Sequence, residues 1–91
     1  MNYFFKPHFA RLFKKLEPLK QKQIIAAIEA LKVALEAGQK PEGLGLKRLN
    51  DNLWEMRSSL KDRILFTLDK DIVSFVLVGN HDDILKYLKN F

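Results

Sequence analysis

Glu55, Arg57 and Arg63 fall within nine residues of one another, in a stretch whose apolar residues alternate with a period of two. Along Leu53–Ser59, Trp54 and Met56 point one way, and Leu53, Glu55, Arg57 and Ser59 the other. Along Arg63–Asp69, Ile64, Phe66 and Leu68 form an apolar face, and Arg63, Leu65 and Thr67 a mixed one. One face of a sheet would therefore carry Glu55, Arg57, Arg63 and Thr67. A guanidinium is a fork of donors with a fixed charge. Two of them on one face either close an ion-pair network with Glu55 or await an anion such as a phosphate. Both readings stand at this point.

Other chemistry is scarce. The chain has no cysteine, which excludes a disulfide framework, a thiolate metal site and a cysteine nucleophile. With only His8 and His81, a protein-only metal centre is not expected, nor is a cofactor. His8 reads as a surface residue of the first helix. Charge is unevenly spread: residues 1–48 hold ten basic and four acidic groups, a net +6 against +5 for the whole chain. Such a basic half attracts polyanions, unless it is only a lysine-rich solvated helix surface.

The elements that must position these groups read as a single domain over residues 1–91, of ordinary apolar content. Asn2–Lys6 is a short aromatic edge strand. Pro7 suits a helix start, and Phe9, Leu12, Phe13 and Leu16 fall on one helical face. Pro18 interrupts that helix and opens another, on which Ile24, Ile28, Leu31 and Leu35 keep the stripe until Gly38 stops it. Gln39–Gly45 is a loop. Leu53–Ser59, Arg63–Asp69 and Ile72–Val78 follow as three strands separated by short polar turns, which favours an antiparallel meander. The last of them is apolar on both faces and suits a more central position. Asp82 or Asp83 caps a final helix carrying Ile84, Leu85, Leu88 and Phe91. The fold class is α+β: a strand and a helical hairpin on one side of a twisted sheet whose other side lacks a second covering layer. No apolar run approaches the roughly 18 residues of a membrane span, and Met1–Pro7 lacks a signal-peptide pattern, so the expected location is cytoplasmic.

The order of strand, helical hairpin, basic loop and three-strand meander resembles the RelE/ParE toxin superfamily over nearly the whole chain. The resemblance is carried by Lys47-Arg48-Leu49-Asn50-Asp51-Asn52-Leu53-Trp54-Glu55-Met56-Arg57, by Asp62-Arg63-Ile64-Leu65-Phe66 and by the tail Val78-Gly79-Asn80-His81-Asp82-Asp83-Ile84-Leu85. It implies a RelE-like fold and the toxin of a type II toxin–antitoxin system: an mRNA interferase, a metal-independent endoribonuclease cutting mRNA on the ribosome and stopping translation. In that reaction the RNA's own 2′-hydroxyl attacks the adjacent phosphate, which needs a proton acceptor, cations and an acid. Arg57 and Arg63 match the family's phosphate-clamping positions, and Lys47 and Arg48 its basic cluster, with Lys61 as a further RNA-binding cation. Glu55 would be the base or a partner of an arginine. Many members place Arg and, four residues on, Tyr in the tail. Here those positions read His81 and Leu85, and some YoeB- and YafQ-like branches use a histidine there for proton transfer. The resemblance also implies a cognate acidic antitoxin, with a toxin–antitoxin heterotetramer as one arrangement. Its rival readings are a ParE-like toxin that inhibits DNA gyrase by binding, which the tyrosine missing at Leu85 would suit, and a catalytically degenerate member.

Overall fold

The structure is a computed structural model and describes residues 1–39 and 43–90. The expectations for Lys40, Pro41 and Glu42 in the loop, and for Phe91, lie outside these residues. The chain runs β1 (Asn2–Phe5), α1 (Pro7–Lys14), α2 (Pro18–Glu36), β2 (Lys47–Arg48), β3 (Leu53–Arg57), β4 (Asp62–Asp69), β5 (Ile72–Asn80) and α3 (His81–Lys89).

Both helices of the hairpin begin at proline, whose missing N–H costs nothing in a first turn. The Gln21 side chain donates to the Phe13 carbonyl at 2.9 Å and ties the two together. Gly38, just past the end of α2, has a φ of 68° that lets Gly38 N–H reach Leu35 O (3.1 Å) and Gln39 N–H reach Ala34 O (2.8 Å).

The five strands form one sheet in the order β1-β5-β4-β3-β2. β3, β4 and β5 are the expected antiparallel meander. β1 is an edge strand as read, but it lies parallel to β5, so the sheet is mixed. The opposite edge is β2, a two-residue strand that the basic-loop reading did not include. Ser59 falls outside β3, in the turn to β4, where Asp62 N–H donates to Ser59 Oγ at 3.1 Å.

One face of the sheet holds the larger core. Met56, Ile64, Phe66, Val73, Phe75 and Val78 pack there against Phe9 of α1 and Ile24, Ile28 and Leu31 of α2. Phe75 sits among Phe5, Phe9 and Phe66, at centroid distances of 5.1 to 6.1 Å.

The other face is not open, and here the sequence reading is corrected. Phe66 pairs with Phe75 and Leu65 with Leu77, so Val76 is an extra residue in β5. Such a bulge resets the alternation. Val73 and Phe75 face the helical hairpin before it, Leu77 faces away after it, and Val78 faces the hairpin again. Leu77 joins Leu53 and Leu65 in a second, smaller cluster that α3 covers with Ile84. Leu85, placed on the apolar stripe from sequence, is 44% exposed. The cap of α3 is also corrected. Asn80, not Asp82 or Asp83, is the N-cap: its Oδ1 accepts from Asp83 N–H, and Asp83 Oδ2 accepts from Asn80 N–H, both at 2.9 Å. No helix among the described residues is long and apolar enough to cross a membrane.

Candidate functional site

Strand register brings the candidate charges into two adjacent rows on the face that α3 partly covers. In one row Lys47 of β2 lies opposite Glu55, and Glu55 opposite Leu65. In the next, Arg57 lies opposite Arg63, and Arg63 opposite Gly79. Like charges directly opposite repel, so the Arg57–Arg63 pair needs a counter-charge. Glu55 supplies one: Arg63 Nη1 stands 3.3 Å from Glu55 Oε1, the two side chains 22% and 9% exposed. That contact engages one corner of the guanidinium. Arg63 Nε is buried and has no hydrogen-bond partner among the described residues. One arginine is thus held by the carboxylate, and the other is not.

Arg57 is the other. It ends β3, is exposed, and makes no side-chain hydrogen bond or ion pair among the described residues. Its stem lies across Gly45: a Cβ there would stand 3.1 Å from Arg57 Cδ and 3.2 Å from Cγ. Gly45 has a φ of 58°, so glycine serves it twice, by conformation and by space. The sequence reading had this glycine only as loop punctuation. A glycine between Leu44 and Leu46, just before a basic strand, is the signal that could have marked a close approach.

His81 is the first residue of α3 and is exposed, two residues beyond the Gly79 that pairs with Arg63. It stands where β5 passes into α3, three residues before the buried Ile84. No hydrogen bond to the imidazole forms among the described residues. Asp83, two residues on, has its Oδ2 engaged at the Asn80 N–H.

The remaining cations are not gathered there. Arg48 lies opposite Trp54, whose side chain packs on the hairpin-side core, and so takes the other face from Lys47. Its guanidinium donates to the carbonyls of Asn50 (3.3 Å) and Asp51 (3.2 and 2.9 Å), holding the turn into β3. Lys61 is exposed in the β3–β4 turn beside Asp62, which is buried and paired with Lys20 at 3.5 Å. Among the described residues no group of three His, Asp or Glu is placed to hold a metal ion.

A sheet of this order with a helical hairpin on one face and a short C-terminal helix on the other has solved counterparts. A chain of a RelB–RelE antitoxin–toxin complex from Methanococcus jannaschii superposes with a TM-score of 0.73 at 20% identity, over 92% of this chain and 96% of that one. The fold is that of the RelE/ParE toxins. YafQ from E. coli shares it, with a TM-score of 0.64 at 13% identity over 91% of this chain and 96% of that one. So does a chain of the heterotetrameric YoeB–YefM toxin–antitoxin complex from Staphylococcus aureus, with a TM-score of 0.64 at 19% identity over 89% and 97%. No protein-family model and no curated protein sequence matches the chain. The RelE fold is therefore recognised here through structure, with the charged rows on its α3-side face.

Proposed function

We propose that this chain is the toxin of a type II toxin–antitoxin pair and that it cleaves RNA by metal-independent attack of the 2′-hydroxyl on the adjacent phosphate. The observation that carries this reading is the Arg57–Arg63–Glu55 arrangement: two guanidinium groups opposite each other in register, only one of them paired. The 2′-oxygen forms its bond to phosphorus as the bond to the 5′-oxygen breaks. Arg57, exposed and unpaired, would hold the phosphorane oxygens, joined by Arg63 as it parts from Glu55. A phosphate bound there competes for Arg63 and loosens its hold on Glu55. The freed carboxylate then takes the 2′-hydroxyl proton. His81, two residues beyond the Gly79 that pairs with Arg63, would protonate the leaving 5′-oxygen. Lys47 adds positive charge beside Glu55, and Lys61 lengthens the basic track at the turn.

The neighbours crystallised with RelB or YefM support an antitoxin partner for this chain too, its acidic residues complementing the +5 charge. A gyrase-binding toxin of the ParE kind is the second reading. It draws on the missing tail tyrosine: Leu85 is exposed and carries no proton to transfer.

The deciding experiment adds the purified chain to a translating extract. Cleaved message supports the nuclease; gyrase-linked DNA breaks with intact message support the ParE reading; no effect of either kind sinks both. Given cleavage, Arg57→Ala should slow it by about 10²–10³-fold with the melting temperature nearly unchanged. His81→Gln should cost about 10²–10⁴-fold and remove one limb of the pH–rate profile. A His81→Gln protein with the parental rate and profile would leave His81 without a role in proton transfer.

A further inference from the structure

The longest helix is apolar on two sides. Ile24, Ile28 and Leu31 bury one side of α2 against the sheet. Half a turn round, Leu19, Ala26, Ala30 and Val33 recur at intervals of seven, four and three residues, which aligns them along the opposite side. All four are exposed, Leu19 by 63% and Val33 by 69%. Leu60, 88% exposed at the tip of the β3–β4 turn, borders a hollow that Gln23 and Ala26 line together with Arg57, Ser58 and Ser59. A solvated helix keeps polar residues on its outer side, and a contiguous exposed apolar stripe marks a contact surface.

We propose that a second copy of this chain docks here, α2 crossing α2 antiparallel about Ala26. The stripe is its own complement in that register. Leu19 and Val33 stand seven residues to either side of Ala26, so each Leu19 meets Val33 of the second copy. Ala26 meets Ala26 at the two-fold axis, where the small side chains let the helices approach closely. Both flanking charges agree with this occupant. Lys22 and Glu29 lie along one border of the stripe, and the same register sets each Lys22 beside Glu29 of the second copy, twice over. Glu29 already reaches its own Lys32 at 3.5 Å and would lie between two ammonium groups. The border is neutral in sum on a chain of net charge +5. An acidic partner gains nothing at this face that the basic surfaces elsewhere do not offer more strongly.

The chain's lack of native cysteine makes the register testable with single substitutions on the full-length protein. Under mild oxidation Ala26→Cys should give a disulfide-linked dimer, because only a residue on the axis meets itself at disulfide distance. Leu19→Cys and Val33→Cys should each link poorly alone and link to one another when mixed. Ala26→Glu keeps a good helix former but sets like charges on the axis. It should weaken dimerisation in sedimentation equilibrium by about tenfold or more, with an unchanged far-ultraviolet spectrum. A parental chain that stays monomeric up to its solubility limit overturns the proposal. So does a dimer that survives Ala26→Glu, or one in which Ala26→Cys links no faster than Asp82→Cys, an exposed position on α3 across the sheet.

Discussion

At the scale of single residues, the Glu55–Arg63 contact has a double consequence. A carboxylate this buried is stable only with its partner, and removing one member leaves a polar group unsatisfied. Glu55→Gln should therefore lower stability by about 1–3 kcal/mol in urea unfolding. A cycle completed with Arg63→Gln should return a coupling of about 0.5–3 kcal/mol; a coupling of zero would mean that the pair does not form in solution. Arg57, with no partner to lose, should show no such coupling to Glu55. Tyr3 gives a pH signature from a different corner. Burial first, then its 2.9 Å hydrogen bond to Glu36 and the charges of Glu36 and Glu29, push the phenol up from 10.0 to about 12. Between those values the unfolded chain gives up the proton and the folded chain keeps it. The stability from this preference is thus whole below the unfolded pKa and is lost as pH rises through the folded one. Tyr3→Phe should then be less stable than the parent at about pH 9, and the gap should narrow by about pH 11. A gap that stays constant across that window would show that Tyr3 titrates alike in both states.

At the scale of elements, much was legible in the sequence, and what was missed has physical causes. The prolines, Gly38 and the helical stripe place α1 and α2, because backbone restriction and periodicity act locally. The alternation along β3 and β4 sets Glu55, Arg57 and Arg63 on one face, and the structure keeps them there. What periodicity could not give was pairing between distant segments: the parallel register of β1, the two-residue β2, and the coverage of the second face. The bulge at Val76 explains that last miss. β5, read as apolar on both faces and more central, is indeed paired on both sides, but the extra residue also turns Leu77 toward α3. The cap was misplaced because Asn80, Asp82 and Asp83 are all good cap residues by type, and only the structure shows β5 running past Val78 to Asn80 and passing there into α3. Its geometry predicts an order of effects. Asn80→Ala removes one reciprocal bond and should cost about 1 kcal/mol. Gly79→Ala would set a Cβ 2.7 Å from both Cβ and Oδ2 of Asp83, so the helix start itself must move. It should cost more, about 1–3 kcal/mol, with the loss read from thermal melts. Equal or reversed effects would mean that Asp83 swings clear at no cost.

At the scale of the whole molecule, the two cores are unequal, and that decides which part opens first. The hairpin-side core joins eleven buried residues from α1, α2 and three strands, while the α3 side has four. Ile84 is the only buried residue that α3 contributes. Local stability follows buried apolar contact, so α3 should undock in a sub-global step well below the free energy of full unfolding. Native-state hydrogen exchange should show this directly, with α3 amides exchanging ahead of those in the β4–β5 ladder. Ile84→Ala should deepen the contrast. Truncating a buried isoleucine costs about 2–5 kcal/mol, but here the loss should fall on the α3 opening alone and leave β4 protection nearly unchanged. Leu31→Ala, in the larger core and fully buried, should lower protection everywhere. The distinction reaches the candidate site, because α3 begins with His81 beside the arginine row. If cleavage depends on that imidazole, Ile84→Ala should slow RNA cleavage in proportion to the undocked fraction, while phosphate binding at Arg57 and Arg63 persists. Should Ile84→Ala instead lower β4 protection as far as Leu31→Ala does, the two cores unfold as one, and α3 is no separate gate on the site.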